Sequence, residues 1–299
     1  LFGEILPKKV RYEELFPHEI EEIIRDKPIV YLPFGTLEWH GLHLALGNDA
    51  IKAYEICLRV AEKAGGVVAP ATYWAIGGMP HPWTTRFDEV LIGELFSAIF
   101  EQMNHVGFKV AIALTGHYGL EQMYVLKKSA CDFMYRSSML VAPLPEYEVV
   151  WEKGYRGDHA AKWETSILWA LRPELVDAIK LKGDLKEPLE GVMGEDPRIY
   201  ASEEIGRDIV NHIVNRLSEL AHRLLNETGP LDKSKFIRAL NIQSKILAEI
   251  ISMGSEGYAV LGSQDYGIFI QHLWMGQYNE AIKEGEGLLL KLKTSKRVS

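Results

Sequence analysis

The strongest constraint in this sequence is an alternation. Short, uniformly apolar runs that read as strands buried on both faces are separated by stretches with helical spacing of apolar residues, from Lys27 to about Ala170. That alternation is the mark of an α/β fold whose central sheet is largely parallel, because crossover helices cover both sheet faces. Lys27–Gly35 (KPIVYLPFG), Val67–Ala69, Phe108–Leu114 (FKVAIAL) and Met139–Pro143 are the expected strands. Helices are expected over Asp49–Lys63, from the N-cap Asp88 to about His105, over Glu121–Tyr135 and over Glu164–Ala170. Ser202 is placed to cap a long helix whose Ile205, Ile209, Ile213, Leu217, Leu220 and Leu224 step by three and four along one face. Asn226–Pro230 (NETGP) reads as a linker, followed by helical patterns near Lys233–Met253 and Tyr278–Lys293. The resulting division is a main domain over residues 1–228 and a mainly helical C-terminal extension over 229–299.

Composition removes several function classes. With 33 basic against 41 acidic residues, the net charge is −8, which argues against a sequence-independent nucleic-acid binder. No apolar run reaches the roughly 18 residues of a membrane span. Leu1–Val10 carries no signal-peptide core, so a cytoplasmic location is expected. Cys57 and Cys131 are too few for a disulfide-stapled scaffold, and both fall in apolar helix patterns.

Chemistry-bearing residues gather just after the expected strands, where α/β sheets bind ligands. The first strand runs into Gly35–Asp49, which carries Glu38, His40, His43 and Asp49. Carboxylates and imidazoles in this density suit Zn²⁺, Mn²⁺ or Fe²⁺. Glu38 and His40 point the same way if the backbone there is extended. The same residues also suit a polar loop whose histidines serve nearby backbone groups. A later strand runs into Thr115-Gly116-His117-Tyr118-Gly119, where the glycines permit tight turns that present His117 and Tyr118. A third segment, Gly157–Ser166, pairs Asp158 with His159 as a base and its neighbouring carboxylate, and places Glu164 in the first turn of a helix.

Together these segments resemble the creatininase (creatinine amidohydrolase) family. Its first motif, close to G-S-x-E-Q-H-G-x-H-L-P-L-x-T-D, is matched by Gly35–Asp49. Its G-H-Y-E-N motif is matched by Gly116–Gly119, its H-A-G-E-x-E-T-S motif by His159–Ser166, and its late G-x-x-G-D-P by Gly191–Pro197 with one inserted acid. The resemblance covers roughly Val10–Thr228 and implies a three-layer sandwich, helices flanking a mostly parallel sheet. It implies metal ligands at Glu38, His40, Asp49 and His117, with Asp49 bridging two ions. The family's further ligand position falls on Gly119 or Lys162, neither of which is a ligand. One ion is therefore expected rather than two, zinc first and manganese or iron as alternatives, with Glu121 or Glu164 as substitute carboxylates.

By the same resemblance His159 moves a proton to the departing nitrogen, Asp158 tunes it, and Tyr118 contacts substrate. Lys162 stands in for the missing charge. The family's G-x-S-x-x-H segment is replaced here by Ile76–Thr84, and Trp83, with Trp74, is expected to line the pocket. The implied function is a metal-dependent hydrolase of a non-peptide C–N bond in a small molecule other than creatinine, assembled as a homo-oligomer, by resemblance a hexamer. The alternative is a non-catalytic member that uses a degenerate site to bind a ligand. Neither a nucleic-acid nor a membrane partner is expected.

Overall fold

The computed structural model describes residues 9–182, 184–226 and 230–295. Four parallel strands form the central sheet: β1 (Ile29–Phe34), β2 (Val67–Val68), β3 (Val110–Thr115) and β4 (Leu140–Pro145), in the order β2-β1-β3-β4. Every residue of all four strands is buried, as a parallel sheet covered on both faces demands. The chain steps from β1 outward to β2 and then back across to β3. The direction of winding therefore reverses between β1 and β3, which opens a crevice beyond their carboxyl ends.

The helices are α1 (Pro17–Asp26), α2 (Asn48–Ala64), α3 (Glu89–Val106), α4 (Leu120–Met134), α5 (Lys162–Leu171), the single turn α6 (Pro197–Tyr200) and α7 (Glu203–Asn226). Helices α2, α5 and α7 pack together as one layer, and α3 and α4 form the other, giving the three-layer sandwich. The expected caps are present. Asp88 accepts hydrogen bonds from the amides of Val90 and Leu91, Gly107 closes α3 in the left-handed region, and Ser202 Oγ accepts from Ile205 N. The apolar stripe of α7 is buried from Ile209 to Leu224, with Ile205 half-buried where the helix leaves the core. Helix α1 carries no buried residue, and its short amphipathic pattern was not distinguished in the sequence. Cys57 and Cys131 are buried free thiols. Among the described residues no helix is long and apolar enough to cross a membrane.

The C-terminal region is helical: α8 (Pro230–Ser252), the single turn α9 (Tyr258–Leu261), α10 (Gln264–Trp274) and α11 (Tyr278–Ser295). The expected linker at Asn226–Pro230 lies largely outside the described residues. Helix α8 packs on α4, and α11 on α8 and α10, so Phe236, Leu240, Ile246, Phe269 and Leu273 join the main hydrophobic core.

A buried polar cluster pins this contact. Glu148, in the turn after β4, accepts from Lys127 Nζ of α4 at 3.1 Å, Gln243 Nε2 of α8 at 3.0 Å and Trp274 Nε1 of α10 at 2.7 Å. Removing one partner of a buried ion pair strands the other charge. The substitution Glu148→Leu is therefore predicted to lower unfolding free energy in urea by about 3–5 kcal/mol, and adding Lys127→Met to recover most of it. A single-variant loss under about 1 kcal/mol would contradict the assignment.

Candidate metal centre

Two glycines bring the site together. An added Cβ at Gly35 would lie 2.2 Å from Ala50 N, and one at Gly116 would lie 2.1 Å from the Asp49 carbonyl oxygen. Only residues without a side chain let the first turn of α2 rest directly on the ends of β1 and β3. Asp49 is thereby fixed over the crevice. The loop after β1 curls back, with Glu38 N bonded to Leu46 O and Trp39 N to Thr84 Oγ1, and turns Glu38 and His40 toward Asp49. His117 arrives from the end of β3 and Glu164 from the first turn of α5.

Two buried triads result, and they share Asp49. In the first, His117 Nδ1 lies 2.9 Å from Glu38 Oε2 and 3.2 Å from Asp49 Oδ2. In the second, His40 Nε2 lies 2.9 Å from Asp49 Oδ1 and 3.4 Å from Glu164 Oε2. Each imidazole spends its other nitrogen on a backbone carbonyl: His40 Nδ1 on Glu38 O and His117 Nε2 on Ile76 O, both at 3.0 Å. A carbonyl only accepts, so those nitrogens carry a hydrogen, and His40 Nε2 and His117 Nδ1 are left pointing into the cluster, where each would offer a lone pair to a bound ion on giving up its proton. The carboxylates are fixed in the same way. Met79 N donates to Glu38 Oε1, and Glu164 accepts from Lys52 Nζ and Ala160 N, both at 2.8 Å.

The donor set fits a cation. Glu38 Oε2, His40 Nε2 and Asp49 Oδ2 are buried and, despite their short separations, lack the alignment of a hydrogen bond. Buried polar atoms are almost always hydrogen-bonded, so three such atoms converging on one place indicate a ligand sphere. Carboxylate oxygen and imidazole nitrogen suit Zn²⁺, Mn²⁺ or Fe²⁺. The imidazoles respond to the same excess of negative charge. Burial opposes their protonation, but Asp49 with Glu164 around His40, and Asp49 with Glu38 around His117, hold both above the ordinary histidine value.

Behind the second triad lies a network that the sequence did not reveal. Lys52, fully buried, contacts Glu164 at 2.8 Å, Glu146 at 3.1 Å and the Tyr118 hydroxyl at 2.5 Å. The Tyr118 hydroxyl also meets Glu146 and Tyr155. Burial works against the Lys52 ammonium, but Glu146, Glu164 and Asp49 outweigh it and keep it charged. The available signal was a lysine inside the apolar pattern of α2, one helical turn beyond Asp49.

The remaining expected residues fall in different places. His159 borders the cluster: its Nδ1 is 3.7 Å from Glu38 Oε1, its Nε2 donates to Trp39 O at 2.9 Å, and its ring stacks on His40. Burial and the neighbouring His40 hold its pKa below the ordinary value. Asp158 does not face it. Its two oxygens accept from Trp163 N and Glu164 N at the start of α5, so it caps that helix rather than tuning His159, and burial and Glu164 push its pKa up. Tyr118 flanks the cavity with its ring but turns its hydroxyl inward. Lys162 lies outside the cavity, paired with Glu195 at 3.0 Å and set over the rings of Trp163 and Tyr200, so it supplies no charge at the cluster. Trp83 is 62% exposed and packs on His81, and Trp74 packs on Phe87, both away from the cavity wall. A side chain at Gly119 would come within 2.8 Å of His117 Nε2 and break its bond to Ile76, so no carboxylate fits there without moving His117. The cavity above the triads holds about 470 Å³, within the usual range for small-molecule sites.

His43 sits apart, buried and bonded to Thr165 Oγ1 at 3.0 Å. Burial lowers its pKa from 6.5 to about 4. Below pH 6.5 the unfolded chain takes up a proton that the folded chain refuses. This contribution, about 3 kcal/mol, is therefore fully present above pH 6.5 and is lost as the pH falls toward 4. Imidazole NMR is predicted to show His43 neutral down to about pH 5, whereas a midpoint near 6.5 would contradict its burial.

Comparison with known proteins places the fold. The creatinine amidohydrolase of Pseudomonas putida is 26% identical over 176 residues, covering 50% of this chain and 66% of that protein. The 3-dehydro-scyllo-inosose hydrolase of Thermotoga maritima is 25% identical over 171 residues, covering 55% of this chain and 53% of that protein. The chain thus spans somewhat less than two thirds of one of these relatives and about half of the other. A crystal structure of creatinine amidohydrolase superposes with a TM-score of 0.60 at 22% identity, covering 71% of this chain and 96% of that one. A creatininase in its Mn form gives 0.60 at 23%, covering 75% and 100%. At these identities the structures establish the fold. The family model for creatininase, creatinine amidohydrolase, matches residues 13–221, more than half of the sequence, and the chain belongs to the creatininase family.

Proposed function

We propose that this chain is a metal-dependent hydrolase that cleaves a C–N bond next to a carbonyl in a small molecule, a cyclic amide, formamide or related compound other than creatinine. The observation that carries the reading is the pair of buried triads sharing Asp49 on the floor of the cavity. Glu38, Asp49 and His117 would hold one divalent ion, and His40, Asp49 and Glu164 a second. Zinc is the first choice and manganese or iron the alternatives. Glu164 supports two ions, where the motif positions alone had favoured one. When bound, such ions polarise a carbonyl and lower the pKa of water toward neutrality.

The chain's own residues supply the rest. Trp39 O fixes the hydrogen of His159 on Nε2, leaving Nδ1 free to accept a proton beside Glu38 and pass it to the departing nitrogen. Its lowered pKa keeps the ring neutral and ready to accept. Asp158 acts through position, capping α5 and steadying the turn that carries His159 and Glu164. Lys52 neutralises Glu146 and orients Glu164 from behind. A second reading is favoured by the likeness to the inosose hydrolase: an inosose is a cyclic polyol ketone, so the bond cleaved beside the carbonyl would join two carbons, with the same proton passing to carbon.

Elemental analysis after chelation and reloading with zinc is predicted to find two ions in the parent, about one in Glu164→Gln and none retained in Asp49→Asn. In a screen of lactams, formamides, ureides and inososes, His159→Ala is predicted to keep its metal and lose at least about 100-fold in turnover. A parent that never holds metal, or a His159→Ala protein as active as the parent, would overturn the proposal.

A further inference from the structure

The C-terminal region lies beyond the family match, which ends at residue 221, yet it reaches back to the cavity. Tyr258 of α9 forms part of the cavity wall, and Gly262, just past α9, accepts a hydrogen bond from Arg156 Nη1 at 2.9 Å. Arg156 lines the same cavity from the turn that leads into His159. Its guanidinium also lies 4.2 Å over the Trp151 ring. It is therefore held from two sides, by a carbonyl and by an aromatic face. Among the described residues Arg156 makes no ion pair and no other hydrogen bond, and its exposed side chain leaves the remaining N–H groups open to solvent and to a ligand. The other ionisable groups around this cavity are mostly acids, with Glu121 and Asp158 added to the triad carboxylates. Arg156 is the only Lys or Arg in that lining, so it is the one point of the wall where a carboxylate meets a permanent cation.

We propose that Arg156, held by Trp151 and the Gly262 carbonyl, is a specificity residue that selects substrates carrying a carboxylate in addition to the bond to be cleaved. A guanidinium offers a planar fork that matches two carboxylate oxygens, and fixing it beforehand reduces the ordering cost of binding. The substrate class is then an anionic small molecule with a reactive carbonyl at the floor and a carboxylate at Arg156. Tyr258 adds an exposed aromatic ring to the same wall. This rests on the hydrolase reading of the cavity, and it assigns the C-terminal helices a part in recognition.

The test uses the zinc-loaded full chain and an isosteric pair, pyroglutamate and its neutral carboxamide, with binding measured by calorimetry. The parent is expected to prefer the carboxylate by about 10- to 100-fold, and Arg156→Met to lose that preference while its zinc content is unchanged. Arg156→Lys, which keeps the charge without the fork, should retain part of it. Equal binding of the two probes by the parent, binding of neither, or a preference that survives in Arg156→Met through direct coordination to zinc would overturn the proposal. A chain that held no zinc but still preferred the anion through Arg156 would defeat the hydrolase reading and leave this one standing.

Discussion

The close approach of the α2 N-terminus to the ends of β1 and β3 is the constraint on which the site depends. Asp49 belongs to both triads, and it stands where it does because Gly35 and Gly116 leave no Cβ between the helix and the strands. The β1–β3 register aligns Phe34 with Thr115, so the two loops that leave these strands start side by side. Glu38 and His40 from one loop and His117 from the other then converge without any long-range adjustment. The reversal of strand order between β1 and β3 makes this edge the crevice of the fold.

Charge is the second constraint. Burying Glu38, Asp49, Glu146 and Glu164 within one small volume is costly unless cations sit among them. The chain supplies one permanently, Lys52, which meets Glu146 and Glu164 but no lone pair of the imidazoles. Around Glu38, Asp49 and the two histidines, carboxylate oxygens and imidazole nitrogens crowd to 2.9–3.2 Å, which is the arrangement a divalent ion would complete. Structural and proposed catalytic charge are thus divided. The lysine balances the layer beneath, and the exposed side of the cluster is left to exchangeable ligands.

The parallel sheet was legible because a strand buried on both faces must be apolar throughout, as Ile29–Phe34 and Val110–Thr115 are. The candidate ligands Glu38, His40, Asp49 and His117 stood out as a polar cluster after two strand ends, but histidines there also serve backbone groups, and it was the resemblance to the family motifs that singled them out as ligands. Glu164 was legible only as one of two substitute carboxylates, beside Glu121, since an acid in the first turn of a helix is favoured by the backbone dipole anyway. Lys162 illustrates the cost of reading a motif without its helical phase. Two residues along a helix turn the side chain by about 200°, so Lys162 faces Glu195 at the surface while Glu164 faces His40. Tyr118 was expected to be presented to substrate, but the direction of its hydroxyl depends on Lys52, Glu146 and Tyr155, which come from three other segments. The part played by Tyr258 and Gly262 was invisible for the same reason: only the tertiary fold brings the C-terminal helices to the cavity.

The claim at the centre of this account is that Asp49 bridges two cation sites. Anomalous diffraction at the zinc edge from crystals of the zinc-loaded protein measures it directly. Two peaks are predicted, one among Glu38, Asp49 and His117 and one among His40, Asp49 and Glu164. No peak at Asp49, or zinc bound only at surface residues, would contradict it.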